Sequence, residues 1–500
     1  MTTGSSVTDS GQGKLAASSI GLWAVIFVSV TTMAPAAGAS FSITVGAGFA
    51  GSSLPLAVFV ALLGCMFTAV SISQLARHLP SAGGMATYIA RGLGGWAGFL
   101  AGWVFNLAYA LVTPLVTVLF GDLLGSTLNT QYGWSFHFWW IAGSVFCVVV
   151  VAVLNYFGIH ATTRFGIILG AFELVVMLAL SFTLIAKGHH NSLKVFSTHF
   201  ANVPGFHGLS GIVAGSVFGV LAFIGFDAAA TLAEESRNPR RTVGRAVIGA
   251  AVLIGSFYVF TTYAASAYFG PDKFAGFAAA GNGNPWNLMA TAVWGGGWVV
   301  LFIALLNSSM ACANGGTSAA CRCIWSMARI RVIPRFLGAT HPRWRSPHIA
   351  VLTVSVGGLI LTIWVGEKYT PITAFAIFGT ILTGLILPIY IFVNVACIAY
   401  YWRERRSEFN VIKHLLVPIL GIVLFVPGFF AALGITVFSF VSPLTYPISI
   451  ASYVIAAWYG IGVLLAIYYG VRHKDRITDT AKVFLEDDEN PSQNLAATNA

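Results

Sequence analysis

The stretch FGVLAFIGFDAAATLAEESRNPRRT, Phe218 to Thr242, poses the problem that decides the fold. Its first sixteen residues have the apolar composition of a helix buried in lipid, yet Asp227 stands among them, two places after Gly225. An ionised carboxylate at mid-membrane costs from about 2.5 kcal/mol upward, so such an acid needs a special environment. A glycine beside it suggests that the helix is interrupted there. An interruption inside a bilayer survives only where it is buried in protein or lines a cavity.

The rest of the chain places this stretch in a membrane. Hydrophobic residues make up 57% of the 500 positions and charged residues 8%, against about 25% charged in ordinary soluble domains. Twelve apolar runs approach the ~20 residues needed to cross a bilayer. They fall near 20–49, 54–76, 95–120, 138–156, 165–186, 210–234, 243–269, 298–321, 348–365, 371–400, 414–440 and 449–470. The expected fold is therefore an all-α integral membrane protein with twelve transmembrane helices and the lipid bilayer as solvent. Residues 1–16 and 473–500 read as disordered cytoplasmic tails around a transmembrane unit at 17–472. No cleavable signal peptide is expected, because residues 1–16 lack a basic start and a cleavage site.

With the first residue in the cytoplasm, 22 of the 26 Lys and Arg fall on the cytoplasmic side; Lys187, Lys194, Lys273 and Lys368 are the exceptions. Such a bias follows the positive-inside rule and puts both termini in the cytoplasm. It also accounts for the net charge of +10 without nucleic acid. The six cysteines offer no disulfide framework, and Cys321 and Cys323 form a C-x-C with no partner cluster to make a metal site. The eleven histidines sit in loops or at span ends, which removes the usual means of intramembrane hydrolysis. Neither a cofactor nor a metal is expected, and an enzyme is not indicated.

The first run carries a second interruption, VSVTTMAPAAGASFSI from Val28 to Ile43. Pro35 removes a backbone donor and clashes with the preceding turn, and Gly38 permits unusual backbone angles. Runs one and six would open two five-span halves, at about 20–186 and 210–400, with 414–470 supplying two extra helices. Paired broken helices of opposite direction are the signature of an inverted-repeat secondary transporter.

Four segments then resemble a known family. LPSAGGMATYIARGLGGWAGFLAGW (Leu79 to Trp103), NYFGIHATTRFG (Asn155 to Gly166), FIGFDAAATLAEESRNPRRT (Phe223 to Thr242) and RCIWSMARIRVIPRF (Arg322 to Phe336) are similar, in order, to signatures of the amino acid–polyamine–organocation superfamily. The resemblance implies a leucine-transporter-like five-plus-five inverted repeat with substrate held where spans one and six unwind. It implies a permease for an amino acid, with a polyamine or other organocation, or amino acid exchange, as alternatives. Where many relatives carry a Gly-Ser/Thr-Gly cluster, this chain has APAAGA.

On this reading Ala34, Pro35, Ala36, Gly38 and Ala39 line one wall of a substrate site, and Phe223, Ile224, Gly225 and Phe226 the other. Asp227 either pairs with a substrate amine or caps backbone N–H groups where the sixth helix restarts, and the cap is preferred because the acid follows the break directly. Asn106, spaced from its Gly-rich entry like a substrate-contacting Asn of related antiporters, contacts substrate or bonds another helix. Glu173 stands where some proton-coupled relatives carry a Lys. Burial favours the neutral form of a carboxyl, so Glu173 is either a proton-coupling site or a structural hydrogen-bonding acid. Glu234 and Glu235 are expected to pair with the arginines that follow them.

Overall fold

The computed structural model describes residues 20–438, 441 and 443–480. It is helical nearly throughout. Among the described residues twelve helical segments are long and apolar enough to cross a membrane: Leu22–Ile43, Ala47–Ala76, Gly95–Tyr132, Phe136–Tyr156, Gly166–Lys187, Leu209–Thr231, Pro239–Phe269, Pro285–Arg329, His348–Tyr369, Pro371–Arg403, Ile412–Leu433 and Ile450–Arg472. They are called spans one to twelve below. The one small sheet among the described residues is a hairpin pairing Asn202–Val203 with Phe206–His207, between spans five and six. The chain is a multi-pass membrane protein.

Two differences from the sequence reading have clear causes. Span eight does not stop near residue 321 but continues as helix from Trp298 to Arg329, because Arg322, deep in the protein, is neutralised by Glu235. Order also extends past 472. A short helix, Lys474–Asp479, buries Ile477 beside Phe99 and Met327. The tail regions 1–16 and 481–500 lie outside the described residues.

Lipid offers helices little hydrophobic incentive to associate, so contact depends on close packing and polar bonds between spans. Small residues supply the first. Span seven lies on span two where Gly244 meets Ser73 and Gly255 meets Leu62. Span four crosses span three so closely that a Cβ on Gly121 would lie 2.2 Å from the Trp140 carbonyl oxygen. Hydroxyls supply the second. Thr113 bonds Thr317 at 2.7 Å and Thr117 bonds Thr362 at 2.9 Å, joining spans three, eight and nine. Span twelve is fastened to span three by a reciprocal pair of indoles. Trp103 Nε1 donates to the Trp458 carbonyl at 3.1 Å, Trp458 Nε1 returns a bond to the Trp103 carbonyl at 3.2 Å, and the rings stack 4.5 Å apart.

Gly121→Ala drives a methyl into backbone that cannot yield, at a cost of about 1–3 kcal/mol. Gly460→Ala in span twelve meets nothing within 4 Å. A clear fall in thermal midpoint in detergent is expected for the first variant and none for the second.

Candidate functional site

Spans one and six both break. Span one is helical from Leu22 to Thr32, and at Ala34 the backbone turns left-handed with φ 49° and ψ 67°. That conformation costs an L-residue roughly 1–2 kcal/mol. Pro35 then occupies the first position of a restarted helix, where its missing N–H costs nothing. Residues Gly38–Ile43 follow as a π-helical stretch. The break is thus narrower than Ala34–Ala39, because Pro35 starts a helix instead of kinking one. In span six the helix ends at Phe223, Ile224 is extended (φ −59°, ψ 122°), Gly225 takes φ 121°, and helix resumes at Ala228.

The breaks touch. A Cβ on Gly225 would fall 2.8–3.0 Å from Thr32, and one on Gly315 of span eight 2.1 Å from the Thr32 hydroxyl. Backbone groups released by the breaks find side-chain partners. The Tyr258 hydroxyl of span seven donates to the Met33 carbonyl at 2.7 Å and lies 3.2 Å from the Ala222 carbonyl, tying the two breaks together. Gly38 leaves room for that hydroxyl, which would lie 2.3 Å from a Cβ there. The Cys312 thiol donates to the Thr32 carbonyl at 2.9 Å. At the restart of span one, Ala36 N–H donates to Glu173 Oε2 at 3.2 Å and Ala37 N–H to Ser308 Oγ at 3.1 Å. At the restart of span six, Ala229 N–H donates to Ser29 Oγ at 2.9 Å.

Between the breaks lies a chamber of about 50 Å³, walled by Thr32, Met33, Ala34, Ala37 and Gly38 of span one, Leu221, Ala222 and Ile224 of span six, and residues of spans three, eight and ten. Of the residues picked from sequence, Ala34, Gly38 and Ile224 line it, and Gly225 packs against its Thr32. The others face elsewhere. Ala36 points its N–H at Glu173, and Pro35 and Ala39 are outside the lining. Phe223 packs edge-on against Tyr258, and Phe226 rests on Tyr390. Asn106 bonds the Met327 sulfur, six residues before the first chamber residue of its helix, Val112.

Asp227 does not cap the restarted helix; Ser29 does. The carboxylate instead accepts hydrogen bonds from Tyr109 at 2.8 Å and Tyr390 at 2.6 Å, and is fully buried outside the chamber lining. Glu173 plays the part the sequence suggested for Asp227, as the acid at a helix restart. Its second oxygen, Oε1, is buried without a hydrogen-bond partner. Neither tyrosine, nor Tyr258, Ser29 or Cys312, was singled out from sequence; aromatic, hydroxyl and thiol residues are too common in apolar spans to signal by themselves.

The chamber opens into a larger space. It shares Ser42, Leu221 and Phe375 with a vestibule of about 590 Å³ among spans one, six, ten and eleven. Toward the face carrying the arginine-rich loops lie buried ion pairs. Glu235 pairs with Arg322, both almost wholly buried. Glu234 receives both guanidinium nitrogens of Arg329, at 2.8 and 3.2 Å, and the Ala82 N–H at 3.1 Å. Both of these guanidinium partners come from span eight. Ile20, just before span one, also forms a two-hydrogen-bond bridge to the segment after span six.

An amino acid permease family model matches residues 20–463. The chain belongs to the amino acid permease family. This permease is 26% identical to the low-affinity putrescine importer PlaP of Escherichia coli K12, over 75% of the chain and 80% of that protein. It is 28% identical to an uncharacterized transporter of Mycobacterium tuberculosis (92% and 90% covered) and 24% identical to the serine/threonine exchanger SteT of Bacillus subtilis (76% and 83%). It is a transporter, not an enzyme.

Arg322→Ala removes a buried partner of the Glu235 carboxylate and is expected to weaken the closed arrangement. Cys321, buried beside the pair, is expected to react faster with a membrane-impermeant maleimide applied from the arginine-rich face, and unchanged labelling would show that this pair does not hold the face shut.

Proposed function

We propose that the permease imports an amino acid across the cytoplasmic membrane by proton symport, with both termini in the cytoplasm. The orientation rests on the 22 basic residues that gather on one side. The chamber between two counter-running helix breaks carries the reading. Substrate enters from the vestibule, its ammonium meets the carbonyl-rich ends at Met33 and Ile224, and its carboxylate lies toward the restarting half of span one. The ion pairs of Glu234 and Glu235 then part as the vestibule closes.

Glu173 supplies the coupling. As an anion it puts negative charge at the start of the outer half of span one, the end whose partial positive charge would otherwise attract the substrate carboxylate. A proton on Glu173 removes that competitor, so proton and substrate are taken up together. The unpartnered Oε1 is the place for that proton. Asp227, held by two tyrosines, would meet the substrate amine on the inward path, since in the chain it stands between Ile224 of the chamber and the Glu234–Glu235 pairs just after span six.

Purified protein in proteoliposomes with an acidic exterior is expected to accumulate a labelled neutral amino acid. Glu173→Gln, locked in the uncharged form, should still exchange substrate across the membrane yet lose accumulation driven by the pH gradient. Full gradient-driven accumulation by the variant would exclude Glu173 as the proton site.

A further inference from the structure

The vestibule carries information about the substrate that the breaks do not. Among the described residues its lining contains no Asp, Glu, Lys, Arg or His; its polar side chains are the hydroxyls of Ser40, Ser42, Thr44, Thr380, Thr383 and Thr445. Three of these return their hydrogen to their own helix. Thr44 donates to the Ala39 carbonyl at 3.0 Å, Thr380 to Ala376 at 2.8 Å and Thr383 to Gly379 at 2.8 Å. Ser40 differs: it is 1% exposed and its hydroxyl has no hydrogen-bond partner. A serine in a regular helix commonly bonds the carbonyl four residues back. Ser40 sits in the π-helical stretch Gly38–Ile43, a distortion often found at functional sites. A buried hydroxyl left unbonded is costly unless a ligand completes it.

Chamber and vestibule are continuous at Ser42, Leu221 and Phe375. A substrate whose charged head sits at the breaks therefore extends its tail through the junction at Ser42, Leu221 and Phe375 into the vestibule floor, whose lining includes Ser40. We propose that this floor is the side-chain subsite, selecting an uncharged tail that bears a hydrogen-bonding group, with the Ser40 hydroxyl as its reader. A second ammonium, a guanidinium or a second carboxylate would lose its water there and find no opposite charge. The assignment rests on the transport reading above and narrows it to neutral, hydroxyl- or amide-bearing amino acids, against diamines and basic amino acids.

Threonine and valine have the same shape and differ by hydroxyl for methyl, so their ratio of uptake rates in proteoliposomes isolates this contact. The wild-type protein is expected to favour threonine by about fivefold, the worth of one neutral hydrogen bond. Ser40→Ala should bring the ratio near one while valine uptake persists, and Ser40→Thr should restore the preference. Lysine and putrescine should fail to compete with labelled threonine in the wild-type protein, a measurement that needs no variant to fold. An unchanged threonine-to-valine ratio in Ser40→Ala, or effective competition by lysine or putrescine, would overturn the subsite while leaving transport intact. Absence of uptake of threonine, valine and every other neutral amino acid would remove the transport reading with it.

Discussion

The architecture depends on one constraint: inside lipid, a backbone N–H or C=O released from a helix must find a partner within the protein. Two helices break at the same level, and the surrounding spans are arranged to satisfy what the breaks release. Tyr258 reaches carbonyls from both breaks with one hydroxyl. Glu173 and Ser308 serve one restart, Ser29 the other. The partners come from spans one, five, seven and eight, so the breaks hold the bundle together as much as the bundle holds the breaks.

That arrangement leaves a small chamber between the two breaks. The glycines follow the same logic. Gly225 is needed both for its positive φ and for contact with Thr32, and Gly38 for the Tyr258 hydroxyl. The glycine-poor APAAGA segment breaks nonetheless, because Ala34 accepts a left-handed conformation and Pro35 begins the next helix without needing a donor. The two sides of the chamber are unlike: a hydroxyl-lined apolar vestibule on one, buried ion pairs and a bridge at Ile20 on the other.

The two buried acids show how far local reading carries. Sequence picked out both Glu173 and Asp227, because an isolated acid in an apolar run is conspicuous whatever surrounds it. At the restart of span six the capping bond comes from Ser29, and in span one the acid that caps a restart is Glu173. Asp227 directly follows a break, but its carboxylate turns to tyrosines 118 and 163 positions away. Glu173 lies in an unbroken helix and caps a residue 137 positions before it. Likewise Glu234 and Glu235 stand beside arginines in sequence, and the fold also brings Arg322 and Arg329 of span eight to them.

Twelve spans, their approximate limits, the level of both breaks and the family were determined by the sequence alone, since hydropathy, helix-breaking residues and charge bias are properties of short segments meeting lipid. Which wall each residue faces, which acid serves which break, and which side of the chamber is open were decided only by the tertiary structure. Those depend on partners one to three hundred residues apart, brought together by packing that leaves no periodic trace in the chain.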